Sequence, residues 1–445
     1  MADKQATTQR DGFKSKWGFI LACIGSAVGM GNIWRFPIMV SIWGGMTFLI
    51  PYFICVILIG STGVIGEFAL GRATGAGPIG AFGKCTELRG NKKIGEAIGF
   101  IPVLGSMALA IGYTVVMGWI FKYTAISITG DMHAMGQDMA AIGGHFDVVA
   151  VSNLPWIIVA IVASFAIMAM GVSGGIEKAN KVMMPLFFAL FLGLAVYLAF
   201  LPGSAAGYRY IFILDPKGLA DPMVWVYALG QAFFSLSIAG NGTLIYGSYL
   251  SEDSDIPADA RLVAVFDTLA ALVAALVIIP AMALAGQELT QSGPGLMFVF
   301  LPNVLRGIPG SGIILMVFFT AVTFAALTSL INLFEAPVAT LQELFHLSRP
   351  VAVALIGAVG IGVGLAISPI VSQWMDVCSI YICPLGALLA AVMFFWVWGK
   401  DDALAQVNQA RKKPLGRWFY PLAKYLFCGV TLLVLVLGAV MGGIG

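Results

Sequence analysis

The stretch Gly25-Ser-Ala-Val-Gly-Met-Gly-Asn32, running on as Ile33-Trp-Arg-Phe-Pro37, decides the fold. It sits in the middle of the first long apolar segment, residues 17–38. Gly25, Gly29 and Gly31 each cost about 1 kcal/mol against alanine in a helix interior. Asn32 and Arg35 place polar and charged groups at the same depth, and Pro37 cannot donate a helix hydrogen bond. A helix broken at the bilayer midplane frees N–H and C=O groups, which persist only where they line a cavity. The expected element is a discontinuous helix of the kind that builds binding sites in secondary transporters.

The rest of the composition agrees with a membrane setting. Of 445 residues, 60% are apolar and 10% charged, and the mean hydropathy is +0.95. So little charge excludes a soluble globular chain and implies an all-α polytopic membrane protein. The net charge of +2 gives no reason to expect nucleic acid as a partner. The six cysteines (Cys23, Cys55, Cys85, Cys378, Cys383, Cys428) fall mostly inside apolar segments without metal spacing. Cys378 and Cys383 share one helix and read as packing rather than as a disulfide. His133, His145 and His346 are scattered over expected loops. No cleavable signal peptide is evident, because the first apolar segment is long enough to span. The sequence has no His-Glu-x-x-His, Walker loop or nucleophile elbow, so the chain reads as neither an enzyme nor an ATPase. Energy for transport would come from an ion gradient. The expected partners are a small-molecule substrate and membrane lipid, with no obligate protein partner evident.

Segments apolar and long enough to span lie near 17–38, 45–70, 94–126, 154–172, 179–202, 223–249, 260–287, 312–345, 350–368, 371–398 and 418–443. That makes eleven. With the N-terminus in the cytoplasm, all of the 24 Lys and Arg except Arg35, Lys122, Arg209, Lys217 and Arg306 fall inside. The C-terminus is then outside, and the chain is expected in a bacterial-type inner membrane. Two long outer loops are expected, near 127–153 (with Asp131, Asp138 and Asp147) and near 203–222. Asp221-Pro222 reads as a cap entering the sixth span.

The first span has an echo in the sixth, Gly230-Gln-Ala-Phe-Phe-Ser-Leu-Ser-Ile-Ala-Gly-Asn-Gly242. Two interrupted segments five spans apart, entering from opposite sides, suggest an inverted 5 + 5 repeat with an eleventh helix appended. The parts are residues 1–16, an N-terminal cytoplasmic segment; 17–202, the first repeat; 223–398, the second; and 399–445, a cytoplasmic loop and the last helix. Arg35, Glu67, Asp267, Glu335 and Asp376 sit in or at the edge of spans and should face a cavity or a partner. Asp267, in Ala264-Val-Phe-Asp-Thr-Leu-Ala270, is either an ion ligand or a structural carboxylate. Glu67 and Glu335 are either site residues or caps on backbone freed at a break. Thr328 and Ser329, in Ala325-Ala-Leu-Thr-Ser329, suit a hard cation that takes oxygen ligands, or else bond back to their own helix.

Residues 25–37, Gln231–Ser237 and Leu327-Thr-Ser329 together resemble the neurotransmitter:sodium symporter family, whose bacterial members include amino-acid carriers of the LeuT type. The resemblance runs from about Arg10 to Gly399. It implies the LeuT-type fold and two sodium sites. The first sodium would be held by Ala27, Asn32, Ser235 and Asp267, with help from a substrate carboxylate. The second would be held by Gly25, Val28, Ala325, Thr328 and Ser329. The substrate carboxylate would meet the N–H groups of Met30 and Gly31 and the Tyr113 hydroxyl. Leu109, Phe234, Ser237, Ser329 and Leu333 would line the side-chain pocket, with Phe234 as its lid. Arg35 with Asp376 would form the outer gate, and Arg10 with Glu343 the inner one.

The resemblance also has departures. Asp267 stands where many members have Asn. Tyr52, Gln231, Ser235 and Asp267 match the pocket that binds chloride in animal relatives, and a fixed carboxylate there implies chloride-independent transport. Phe13 and Glu343 stand where Trp and Asp are usual. Gly29 stands where amine carriers have Asp, which favours a substrate with its own carboxylate. Gly240 and Asn241 depart most, and would enlarge the pocket and add a polar contact. Gly175 and Pro185 resemble the segment at which the family's fifth span unwinds. The expected function is sodium-coupled symport of a zwitterionic amino acid. The alternatives are a same-fold symporter of an amine or betaine-like solute, and a channel or sensor.

Overall fold

Apolar runs buried in lipid have no water to satisfy their backbone, so they close their hydrogen bonds within helices. The computed structural model describes residues 11–135, 139–238, 241–286 and 294–443, with His133 described in its backbone only, and the described residues contain helices and no strand. Among the described residues seven continuous helices are long and apolar enough to cross a membrane, and nine crossings result if each of two bent pairs counts as one. The first pair is the opening stretch itself: Lys16–Ala27 and Gly31–Trp43 meet at 58°. The second, Met139–Val151 with Leu154–Ala169, bends by 67°. The stretch Arg349–Trp398 is 50 residues long and is interrupted by a tight turn at Ser368–Ile370. At 1.5 Å per residue that is about 75 Å, more than twice the hydrocarbon thickness, so it has room for two crossings. The sixth expected span is present as two short halves, Pro222–Ser235 and Gly242–Gly247. Each of the eleven expected segments is thus helical.

Local signals set the ends. The Ser15 hydroxyl accepts the Gly18 N–H at 3.0 Å, and the Asp221 carboxylate accepts the Met223 N–H at 2.8 Å, the cap expected before Pro222. Three connecting segments differ from expectation. The region 127–153 is largely helical (Lys92–Thr129, Asp131–Ala134 and Met139–Val151), so His145 lies on a helix and not in a loop. Asp138 lies outside the described residues. The 203–222 connection holds the helix Ala205–Ile211. A further helix, Leu296–Arg306, fills a region with no expected element. His346 does mark a helix end, at φ 53°. All six cysteines are free and buried.

The packing places the two broken spans together. Lys16–Ala27 lies against Val172–Ala199, Ile256–Leu284 and Ser311–Phe345, while both halves of the sixth span lie against Met46–Thr74. The second of those halves approaches very closely. A Cβ on Gly71 would lie 2.1 Å from the Leu244 carbonyl oxygen, so only glycine fits there.

Candidate functional site

The first break begins at Val28, which is extended (φ −74°, ψ 106°) after the helix ending at Ala27. The helix resumes at Gly31. The sixth span stops at Ser235 and resumes at Gly242. Between them Ser237 (φ 55°) and Asn241 (φ 56°) take left-handed backbone, which for non-glycine residues costs about 1–3 kcal/mol each and persists only where neighbours hold it. Those neighbours are visible. Ser237 Oγ donates to the Ser26 carbonyl at 2.8 Å, tying one break to the other. Asn241 Nδ2 donates to Glu67 Oε1 at 2.9 Å, and the Thr243 hydroxyl donates to Glu67 Oε2. Gln231 Nε2 donates to the Gly31 carbonyl at 3.1 Å. Glu67 therefore acts as a clamp on the sixth-span break. Glu335 has a different role. It takes Arg349 in a two-point pair at 2.9 and 2.7 Å and accepts the Tyr249 hydroxyl at 2.6 Å.

The sequence-predicted residues fall into three groups around the breaks. In the first, Asp267 is fully buried, and its two oxygens accept Asn32 Nδ2 and Ser235 Oγ, both at 2.7 Å. Asn32 Nδ2 also reaches Ser235 Oγ at 3.1 Å, and its Oδ1 accepts the Gly29 N–H at 3.2 Å. Turning that amide over would present its oxygen to Asp267 and Ser235 instead. Asp267, Asn32 and Ser235 thus meet at one point.

In the second group, the Thr328 hydroxyl bonds back to Phe324 and Ala325 at 3.0 Å each, and Ser329 Oγ donates to the Ser26 carbonyl at 3.2 Å. Thr328 also flanks Gly25. A Cβ on Gly25 would lie 2.8 Å from Thr328 Cβ and 2.1 Å from Asn180 Oδ1. Helical back-bonding uses the hydroxyl proton and leaves both lone pairs of the oxygen available.

The third group encloses a cavity of about 50 Å³. Met30, Gly31, Leu109, Tyr113 and Phe234 line it, together with Ser237, Ser329, Asn332 and Leu333. Tyr113 Oη accepts the Met30 N–H at 3.3 Å, and Gly29 is wedged between Tyr113 and Ser329. Ser26 and Met375 also line the cavity and escaped the sequence reading. Ser26 sits inside the quoted motif, so its place next to Ala27 was the available signal. Asn241, expected to add a polar contact to the pocket, does not line the cavity, and neither does Ser235. Ser235 turns to Asp267, and Asn241 turns to Glu67, so Asn241 does not supply the expected polar contact to the pocket. Gly240 lies outside the described residues.

Phe234 also walls a second, smaller cavity that contains Arg35, Ser379 and Pro384. The ring therefore separates the two spaces. The Arg35 guanidinium stands 5.5 Å from its centroid, a cation–π distance. Among the described residues no ion pair within 4 Å joins Arg35 to Asp376, although the two charges act on one another. Glu343 accepts the Gly77 N–H at 2.9 Å. Its expected partner Arg10 lies outside the described residues. Phe13 packs edge-on against Phe19, Tyr246 and Tyr249, with centroids 5.4 to 6.3 Å apart.

Buried polar atoms are ordinarily paired, so exceptions call for a reason. Among the buried atoms without a hydrogen-bond partner, Ser26 Oγ, Tyr52 Oη, Asn180 Oδ1, Gln231 Oε1, Asn241 Oδ1 and Tyr246 Oη belong to the broken spans or to helices packed on them, while others, such as Trp119 Nε1 and Asn153 Oδ1, lie elsewhere. Among the described residues no three His, Cys, Asp or Glu side chains group as a metal site. The available donors are carbonyl, hydroxyl, amide and carboxylate oxygens, the set a hard cation takes.

This arrangement matches known proteins. A family model described as the sodium:neurotransmitter symporter family matches residues 10–140 and 137–442. An uncharacterized sodium-dependent transporter of Methanocaldococcus jannaschii is 31% identical over 93% of this chain and 87% of its own length. One from Bacillus subtilis is 31% identical over 92% and 93%. The human inactive sodium-dependent neutral amino acid transporter B(0)AT3 is 29% identical over 61% of this chain and 46% of its own. The crystal structure of MhsT in complex with L-phenylalanine superposes with a TM-score of 0.84 at 33% identity, covering 96% of this chain and 99% of that one. The helical architecture with broken first and sixth spans is therefore the LeuT-type fold of a multi-pass membrane transporter, and the chain belongs to the sodium:neurotransmitter symporter family.

Proposed function

We propose that the chain is a sodium-coupled symporter of a zwitterionic amino acid, working by alternating access with its N-terminus in the cytoplasm and its C-terminus outside. The observation that carries this reading is the meeting of two helix breaks around one cavity. Met30, Gly31 and Tyr113 line that cavity together with Asn32 of the first oxygen cluster and Ser329 of the second, and Asn32 bonds in turn to Ser235 and Asp267. The freed N–H groups at Met30 and Gly31 suit a carboxylate. The first oxygen cluster (Ala27, Asn32, Ser235, Asp267) suits a cation that would bridge to that carboxylate, which makes coupling direct. The second (Gly25, Val28, Ala325, Thr328, Ser329) would hold a cation that staples the broken first span to the eighth. Phe234 would close over bound substrate, followed by approach of Arg35 and Asp376. Opening to the other side would separate Glu343 from Arg10.

The relatives add support. MhsT was solved with L-phenylalanine, and B(0)AT3 carries the name of a neutral amino acid transporter. A Cβ on Gly29 would stand 3.0 Å from Tyr113 Oη and 3.2 Å from Ser329 Oγ, so an acidic side chain there would crowd both, and the glycine in its place leaves an amine lacking its own carboxylate without a counter-charge. Asp267 beside Tyr52, Gln231 and Ser235 provides a fixed negative charge where an anion would otherwise be needed, so the reading includes chloride independence. The test is uptake of labelled L-phenylalanine into proteoliposomes, competed by a panel of amino acids, amines and betaines. Competition by neutral amino acids alone is expected. Competition by amines or betaines alone would replace the substrate class.

A further inference from the structure

Outside the transport site, a groove of about 560 Å³ runs between Met46–Thr74, Ile256–Leu284 and the segment before the last helix. Phe53, Val56, Ile57, Val265 and Leu269 form its apolar walls. Its two hydroxyls are already engaged by their own helices: Ser61 Oγ bonds the Leu58 carbonyl at 3.2 Å, and Thr268 Oγ1 the Ala264 carbonyl at 2.8 Å. The walls therefore offer no free hydroxyl donor to a ligand. One end of the groove is different, being closed by Arg261, Arg411 and Trp418.

The cations at that end have donor capacity to spare. Arg261 is exposed and takes no hydrogen-bond or ion-pair partner among the described residues. Arg411 gives Nη1 to Asp255 at 2.7 Å and Nε to the Lys413 carbonyl at 3.1 Å, which leaves its Nη2 donors. Lys412, Lys413 and Arg417 are exposed on the same segment. From Arg261 to Leu269 the seventh span rises about 12 Å, less than half of a hydrocarbon core of about 30 Å. Gly60 and Ala264 lie close enough that a Cβ on Gly60 would stand 3.1 Å from the Ala264 methyl, which closes the floor.

We propose that this groove is a binding site for one anionic glycerophospholipid. An acyl chain would lie in the apolar half, within one leaflet. The phosphate would be held by Arg261 and Arg411, with Trp418 at the level of the interface. The argument is charge complementarity at the correct depth: unpaired guanidinium donors sit where a headgroup begins, and an apolar trough sits where a tail continues. Guanidinium groups suit phosphate because they bind it at two points. Basic pockets between membrane helices hold anionic headgroups for the same reason. A zwitterionic lipid could fill the trough but would leave Arg261 without a net counter-charge.

The test uses the full-length purified chain and native mass spectrometry after exposure to equal amounts of phosphatidylglycerol and phosphatidylcholine with matched acyl chains. The native chain should retain phosphatidylglycerol at least fivefold over phosphatidylcholine. R261Q, which alters an exposed and unpaired side chain, should bring that ratio below twofold. V265W, which fills the trough, should reduce retention of both lipids. An unchanged ratio in R261Q, equal retention by the native chain, or loss of phosphatidylglycerol to inorganic phosphate alone would overturn the assignment.

Discussion

Asp267→Asn is the most informative change in the transport site. The substitution keeps shape and volume and removes one buried charge. In the native chain the carboxylate is fully buried and accepts two hydrogen bonds, from Asn32 Nδ2 and Ser235 Oγ, both at 2.7 Å. An amide can keep both contacts, because Ser235 can accept where it now donates and the Asn32 amide can turn over. The fold should therefore survive, with a change in Tm of only a few degrees. Cation binding should not survive intact. Unit charges about 4 Å apart at an effective dielectric constant of about 20 attract by about 4 kcal/mol. The amide oxygen recovers part of this as a dipole, so a net loss of about 2 kcal/mol is expected. That corresponds to about a 30-fold rise in the sodium concentration giving half-maximal substrate binding. The assay is equilibrium binding of labelled amino acid to purified protein across a sodium titration, with thermal unfolding as the control for folding. A half-saturating sodium concentration within threefold of the native value, in a folded variant, would refute the assignment of Asp267 as a cation ligand.

Gly31→Ala would place a Cβ 2.9 Å from Phe234 Cδ1, so the lid must swing away; substrate affinity should fall at least tenfold while sodium-induced thermal stabilisation persists. Pro185→Ala should restore a hydrogen bond near the start of the fifth span and slow its unwinding. Exchange across proteoliposomes should then slow severalfold at unchanged external sodium affinity, and an unaltered rate would count against that hinge. Replacing chloride with gluconate at fixed sodium should leave the initial rate of uptake unchanged, and a loss of more than half would show that Asp267 does not substitute for an anion.

The breaks were legible because glycine and polar residues interrupt apolar runs, a local signal that hydropathy registers. The positions of Leu109, Tyr113, Phe234, Ser329 and Leu333 around one cavity were legible only through the resemblance, because no local pattern brings those helices together. Three features were not legible. Asn241 faces Glu67 and not the pocket, because a left-handed backbone at φ 56° aims its side chain across the interface with the second span. The Glu335–Arg349 pair joins residues whose partnership depends on how the helices turn between them. The helices Met139–Val151 and Leu296–Arg306 lie in regions whose composition reads equally well as loop, and packing decides their form. Among the described residues no ion pair joins Arg35 to Asp376, and the Arg35 guanidinium stands 5.5 Å from the Phe234 ring centroid instead, a contact that no sequence pattern announces.

The central claim is that a sodium gradient drives amino-acid accumulation through the two facing breaks. It is tested most directly by the inside-to-outside ratio of a labelled neutral amino acid in proteoliposomes given an inward sodium gradient. The account predicts a ratio well above one that collapses when an ionophore dissipates the gradient or potassium replaces sodium. A ratio that settles at one with the gradient intact, or accumulation that persists without sodium, would contradict it.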